Sequence, residues 1–308
     1  MEKTKIIFLI LPHVHLLDLA GPDQVFHEAI ECGADLTIEY CSIDKSVFSS
    51  SNLGIAKLKM FNNVKISKAD YVFIPGAAVD FLTAKTIPFE KELKKWLRDG
   101  YNSGAFICSI CTGAFFLARM GLLDGRKCTT HWKRTSELKE RYPRINLVED
   151  ILFTEDERIY TSAGVTAGID MALYITGRLR DDNFSFKVAR ELVVYMRRQG
   201  NELQQSVFMN YRNHIHSGVH NVQDYLQENI HRKLTLVKLA ELACMSARNL
   251  TRIFKKETGI TINAYISLIR KEYLKKLIDN PDMTRKQMAE LCGLRSERQV
   301  IRLLKNNS

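Results

Sequence analysis

Apolar residues in the first half of the chain gather into short unbroken runs, set between stretches whose apolar positions recur every three or four residues. Thr4–Leu11 (TKIIFLIL), Tyr71–Pro75 (YVFIP) and Ser103–Ser109 (SGAFICS) are three such runs. A strand reads as a continuous apolar run, and not as alternation, when both of its faces are covered, so these runs predict buried strands of a parallel sheet. The third leads directly into Thr112-Gly113 and the helix-prone AFFLARMGLL of Ala114–Leu123, which predicts a strand, a tight turn and a helix. Thr166–Leu179 and Phe184–Arg198 are predicted as closing helices, the second with Val188, Leu192 and Tyr195 along one side.

Between Gln199 and Ser217 the pattern lapses into a polar stretch without sustained period, and beyond it the strand signals vanish. The expected organisation is an α/β domain over 1–198, a linker over 199–216 and an all-α domain over 217–308. In the last of these, Leu236, Leu239, Ala240 and Ala243 share one face of a short helix that breaks at Cys244-Met245-Ser246. Ser246 is a good N-cap for a second helix, in which Leu250, Ile253 and Phe254 form the apolar stripe. Two short helices joined by such a turn make a helix-turn-helix. Off the stripe lie Arg248, Asn249, Arg252, Lys255 and Lys256, the candidate DNA contacts. Arginine pairs with guanine and asparagine with adenine in the major groove, while lysine holds phosphates. Met283–Lys305 repeats the arrangement: Met288, Ala289 and Leu291 in a first helix, Gly293 in the turn, Ser296 as cap, and Arg298, Gln299 and Arg302 as readers. Between the motifs, Ala264–Ile278 has the period of one helix able to hold two reading heads about one turn of DNA apart.

Charge sharpens this division. The net charge is +10, but from Asn213 onward there are 17 Lys+Arg against 9 Asp+Glu, and before that point 28 against 26. A basic excess confined to one end points to a polyanion partner for that end, because neutralising phosphates releases counterions. No signal peptide and no apolar run near the roughly 18–20 residues of a membrane span is present, so no membrane partner is expected. The seven cysteines are odd in number and scattered, a pattern that fits reduced thiols in the cytoplasm, and neither a metal nor a cofactor is expected.

Leu236-x-x-Leu239-Ala240, Ser246-x-Arg248-x-Leu250-x-Arg252-x-Phe254-Lys255, Gly259-x-Thr261 and Tyr265 resemble the first half of an AraC/XylS-family DNA-binding domain, a likeness that covers roughly the last 90 residues. Two departures fall in the second motif. Val300 and Leu304 stand where that family usually has aromatic residues, and the sequence stops at Ser308 without the usual Gly-x-x-Pro-x-x-Tyr-Arg tail. The second head is therefore expected to be the weaker.

The turn at Cys108-Ser109-Ile110-Cys111-Thr112-Gly113 has chemistry of its own. A cysteine on such an elbow, beside the N–H groups of a helix N-terminus, is expected to have a lowered pKa and to suit a nucleophile. His131 and Asp18 are the companions that would serve it as base or orienting group. With Leu17-Asp18-Leu19-x-Gly21-Pro22, Ile74-Pro75-Gly76, Thr130-His131-Trp132 and Ser162-Ala163-Gly164-Val165, this segment resembles the ThiJ/PfpI branch of the class I glutamine amidotransferase-like fold, in the GlxA-type subgroup fused to AraC-type domains. That resemblance implies a flavodoxin-like α/β sandwich with a mostly parallel sheet, followed by the all-α domain with two helix-turn-helix motifs. It implies either of two uses for the site. In stand-alone isonitrile hydratases of that branch the matching positions are catalytic, which maps here to Asp18, Cys111 and Thr112. In the regulators the same place is a pocket for a small, often nitrogenous, molecule, here Asp18, Gly76, Cys111, Thr112 and His131. The expected protein is a transcription regulator without turnover, binding double-stranded operator DNA as a homodimer in response to an effector, with RNA polymerase a further contact. The alternatives are a thiol-dependent hydratase or amidase, and a bifunctional protein.

Overall fold

A computed structural model describes residues 3–194, 200–201, 204, 207–232, 234–278 and 283–305, and these divide into two units, residues 1–204 and 205–308. The first unit is built on a seven-stranded sheet. Its strands are β1 (Thr4–Leu9), β2 (Leu36–Ser42), β3 (Lys59–Met60), β4 (Tyr71–Ile74), β5 (Phe106–Ile110), β6 (Phe153–Asp156) and β7 (Ile159–Ser162), in the order β6-β7-β5-β4-β1-β2-β3. All neighbours run parallel except the β6-β7 hairpin at one edge. The three apolar runs are central strands, as their two-sided burial requires. The third begins at Phe106 and not at Ser103, because Ser103 ends the preceding helix and Gly104, at φ +101°, caps it in the left-handed conformation.

Helices cover both faces. Glu90–Ser103 (α2) and Gly113–Arg119 (α3) contribute Leu93, Leu97, Phe115 and Phe116 to a core on one side with Ile7, Leu9 and Ile107. Leu16–Glu31 (α1), Thr166–Leu179 (α4) and Asp182–Glu191 (α5) contribute Val25, Phe26, Met171 and Val188 to the core on the other, with Ile6, Phe8 and Phe73. There the Phe8 and Phe26 rings stand 5.3 and 5.2 Å from Phe73, a contact geometry of about 0.5–1.5 kcal/mol per pair beyond the burial itself. Helix α5 starts two residues before Phe184, where the Asp181 carboxylate accepts the Phe184 N–H, and it ends at Glu191. Tyr195 lies outside the described residues.

The second unit is helical. After a single turn at Val207–Asn210, inside the stretch read as linker, come α6 (Ser217–Glu228), α7 (Leu236–Leu242), α8 (Ala247–Thr258), α9 (Ile262–Ile278), α10 (Arg285–Leu291) and α11 (Glu297–Lys305). Its caps follow the sequence: Ser246 Oγ accepts the Asn249 N–H, Gly259 closes α8 at φ +79°, and Thr284 with Gln287 forms a reciprocal capping box on α10. Helix α9 serves two cores. Its N-terminal half places Tyr265, Ile266 and Ile269 against Leu239, Leu250 and Phe254, while Leu274 further along meets Met288, Ala289, Cys292 and Val300. Two residues assigned to apolar faces, Leu236 and Leu291, are instead exposed. Each lies at an end of its seven-residue helix, beyond the arc that meets the core.

Gly113 shows how tightly α3 is drawn to the sheet. A Cβ there would stand 2.3 Å from the Ile74 carbonyl oxygen, a backbone atom that cannot give way. Helix propensity favours alanine over glycine, yet Gly113→Ala is expected to destabilise the protein by about 1–3 kcal/mol. A denaturation midpoint at or above that of the parent protein would contradict this packing.

Candidate functional site

The carboxyl ends of four strands converge on Cys111. After β1 the chain crosses to β4, where the His15 N–H donates to the Gly76 carbonyl (2.7 Å), and then enters α1, whose first turn carries Asp18. After β4 comes Gly76, after β5 the elbow at Cys111, and after β7 Gly164 and Val165. Strands β1 and β4 are the pair at which the order of the sheet reverses, the place where open α/β sheets leave a crevice.

Backbone geometry at this crevice is costly. Cys111 and Val165 have φ of +54° and +52°, left-handed values that β-carbon-bearing residues adopt only when their surroundings impose them. The Cys111 N–H donates to the Ser162 carbonyl, and Thr112 is locked by a two-way bond with Ala77, its hydroxyl accepting from the N–H and donating to the carbonyl. Asp18 is buried; one of its oxygens accepts the Val165 N–H at 2.6 Å and the other lies 3.2 Å from His15 Nδ1. Two glycines complete the enclosure. A Cβ on Gly76 would stand 2.4 Å from the Asp18 carboxylate, and one on Gly164 would stand 2.2 Å from the Cys111 Cβ.

Asp18, Gly76, Cys111 and Thr112 are thus brought together as the sequence suggests. His131 lies at the margin: its Nδ1 accepts the Lys133 N–H, and burial, Lys133 and other neighbours outweigh Asp18 to lower its pKa. The expected acidity of Cys111 is reversed. Only 4% of the residue is exposed, and burial first, then the Asp18 carboxylate, push its thiol well above the ordinary range, with Thr112 pulling weakly the other way. The thiol is therefore protonated at neutral pH, and the turn at the start of α3 does not offset the loss of water. Cys108, three residues earlier, completes a C-x-x-C spacing but is itself fully buried in β5, its thiol raised by burial alone.

Sequence reading passed over His15 and Gln204. Gln204, the last residue of the first unit, brackets His131: its amide oxygen accepts the Trp132 N–H (2.8 Å) and its amide nitrogen donates to the Thr130 carbonyl (2.9 Å). Thr130 in turn donates its hydroxyl to the Cys111 carbonyl at 2.8 Å. A continuous hydrogen-bonded path runs from the elbow to the end of the unit.

In the second unit, Arg248, Arg252, Lys255 and Lys256 project from α8 into solvent, while Asn249 is half-buried and its carbonyl oxygen accepts from Arg252 at 2.9 Å. On α11, Arg298 and Arg302 are exposed. Gln299 is not a free reader here, because its side-chain oxygen turns back to accept the N–H of Arg295, just ahead of the helix, at 2.8 Å.

Residues 4–177 match the DJ-1/PfpI family, and residues 226–267 match the AraC family of bacterial regulatory helix-turn-helix proteins. The chain is 29% identical over 202 residues to the HTH-type transcriptional regulator GbdR of Pseudomonas aeruginosa, covering 65% of this chain and 53% of GbdR, little more than half of that protein's length. It is 26% identical to the HTH-type transcriptional regulator GlxA of Rhizobium meliloti over 251 residues, 82% of this chain and 75% of GlxA. To the isonitrile hydratase of Pseudomonas putida it is 27% identical over 173 residues, 56% of this chain and 70% of the enzyme.

Alkylation by iodoacetamide at about pH 8, near the ordinary thiol pKa of about 8.5, is expected to modify exposed Cys244 first and to leave Cys111 intact until the protein unfolds. Peptide mapping that finds Cys111 labelled ahead of Cys244 would refute a protonated, buried thiol.

Proposed function

This chain belongs to the DJ-1/PfpI family, and on that premise we propose that it is a sequence-specific transcription regulator whose first unit senses a small molecule without turning it over. The observation that carries the reading is the pairing of a capped, basic α8 with a first unit whose cysteine is buried and protonated. A second head on α11 has little purpose in a metabolic enzyme. A nucleophile held as a thiol, with no imidazole bonded to it among the described residues, is poorly suited to covalent catalysis.

The effector site lies around Asp18, Gly76, Cys111, Thr112 and His131. Its signal leaves through Gln204: a ligand that displaces the Thr130-His131-Trp132 segment moves the glutamine that holds the end of the unit. Operators commonly present paired half-sites, so the active form is a homodimer, working in the cytoplasm where promoters are and with RNA polymerase as a further contact. Among the described residues no helix is long and apolar enough to cross a membrane. DNA is read by Arg248, Asn249, Arg252, Lys255 and Lys256 of the first motif, with Arg298 and Arg302 of the second. Gln299 takes part only if it exchanges its bond to Arg295 for a base.

Fluorescence anisotropy with a fragment from upstream of the protein's own gene, repeated across salt concentrations, tests this reading. Sequence-preferring binding that weakens linearly in log salt is expected. Arg252→Ala is expected to cost about 1–3 kcal/mol at the specific site and to relax base preference there, whereas Lys255→Ala weakens all sequences alike. Equal affinity for the promoter fragment and for scrambled DNA would overturn the proposal.

A further inference from the structure

A ring nitrogen of His15, a carboxylate oxygen of Asp18 and Cys111 Sγ all lie within 4.8 Å of one another. They come from two separately anchored pieces of chain. His15 is pinned by its N–H to Gly76, Asp18 by the Val165 N–H, and Cys111 by Ser162. These anchors lie at two strand ends, those of β4 and β7, so the convergence is fixed before anything binds. Two ligands about 2.0–2.2 Å from a tetrahedral ion stand roughly 3.3–3.5 Å apart. The His15-Asp18 separation of 3.2 Å falls just short of that spacing, and a side-chain adjustment of the order of 1 Å brings in the thiol.

The packing around this cluster is too close to admit an organic group on its glycine sides. Gly76 and Gly164 press their backbones so closely on Asp18 and Cys111 that neither has room for a methyl group. The donors themselves select the ion: thiolate, imidazole and carboxylate together suit zinc and its neighbours, whereas magnesium and calcium take oxygen. Charge agrees. Asp18 is an enclosed carboxylate whose nearest ionisable cation partner is a histidine at the rim, its side chain 36% exposed. A carboxylate and a thiolate together neutralise a divalent ion.

We propose that His15, Asp18 and Cys111 form a three-ligand site for a zinc-class divalent metal ion, with a fourth coordination position left for a small ligand. The ion replaces one proton. The Cys111 thiol proton leaves to solvent, and the neutral His15 ring keeps its one proton on Nε2 so that Nδ1 presents its lone pair. Three protein ligands with one open position is the arrangement of metal sites that also bind a second molecule. This deepens the reading of the same crevice as the effector site, making the effector either the ion or a molecule that completes its coordination.

Cobalt(II) serves as the probe, added to metal-free full-length protein in a Cys244→Ser background so that the exposed thiol does not compete. Binding of about one equivalent per chain is expected, with a thiolate-to-cobalt charge-transfer band in the near ultraviolet, tetrahedral bands in the visible, and bleaching of both by zinc. Cys111→Ser is expected to abolish the charge-transfer band, and His15→Gln, a change at the rim that leaves the core untouched, to weaken binding at least tenfold. Zinc should raise the melting temperature of the parent and not that of Cys111→Ser, by mass action. No charge-transfer band, or one that survives in Cys111→Ser, overturns the metal site. Because the readout is ligation alone, a protein that takes cobalt in this way but shows no DNA preference refutes the regulator reading and leaves this one standing, and the converse result does the opposite.

Discussion

The carboxylate of Asp18 is the point on which the first unit's crevice depends. A buried carboxylate is tolerated only where its oxygens find donors, and leaving a charged group without one costs several kcal/mol. Here the donors are a backbone N–H from Val165, on the far side of the sheet's order, and an imidazole from the loop that precedes α1. Satisfying that one group therefore fixes the start of α1, the turn after β7 and the crossing of the β1 loop to Gly76. The left-handed Val165 is a consequence: its N–H can reach Asp18 only if the chain turns there in a conformation a valine otherwise avoids. The same carboxylate, lying against Cys111, helps keep that thiol protonated. Position and acidity in the crevice are thus two results of one buried charge.

Much of this is legible in the sequence, and the exceptions have physical causes. The strands at Thr4, Tyr71 and Phe106 announce themselves because two-sided burial writes itself as unbroken apolar runs. The cap at Ser246, the stripe of Leu250, Ile253 and Phe254, and the continuous α9 are local patterns, settled within a few residues of each other. The elbow at Cys111 is local too. Its thiol acidity is not, since that is decided by burial and by Asp18, brought there from another strand end. His15 and Gln204 are silent for the same reason. Gln204 matters through main-chain atoms remote in sequence, His15 through the Gly76 carbonyl and through a carboxylate whose burial only the fold reveals, and neither lies in a periodic segment that would draw attention to it. Gln299 shows the opposite limit: a polar residue off the apolar stripe of a recognition helix looks free until its bond to Arg295 is seen.

The helical unit is divided unequally. The core around α8 gathers Val219, Val222, Leu226, Leu239, Leu250, Phe254 and Tyr265, including the aromatic pair Phe254 and Tyr265 with ring centroids 5.5 Å apart. The core around α11 rests on Leu274, Met288, Ala289, Cys292 and Val300, with no aromatic ring among its buried members in the described residues. A larger apolar area removed from water holds the first recognition helix more firmly than the second. Both are mounted on α9, so what differs between them is the rigidity of the mounting and not its continuity.

Gln204 grips main-chain atoms on either side of His131 through the two ends of its side-chain amide. Any residue other than proline at position 132 offers the same N–H, and any residue at all at position 130 offers the same carbonyl. On the proposed reading, side-chain substitution around His131 would change which molecule the crevice accepts while leaving these two main-chain bonds in place, so that specificity and the link to the end of the unit become separable properties.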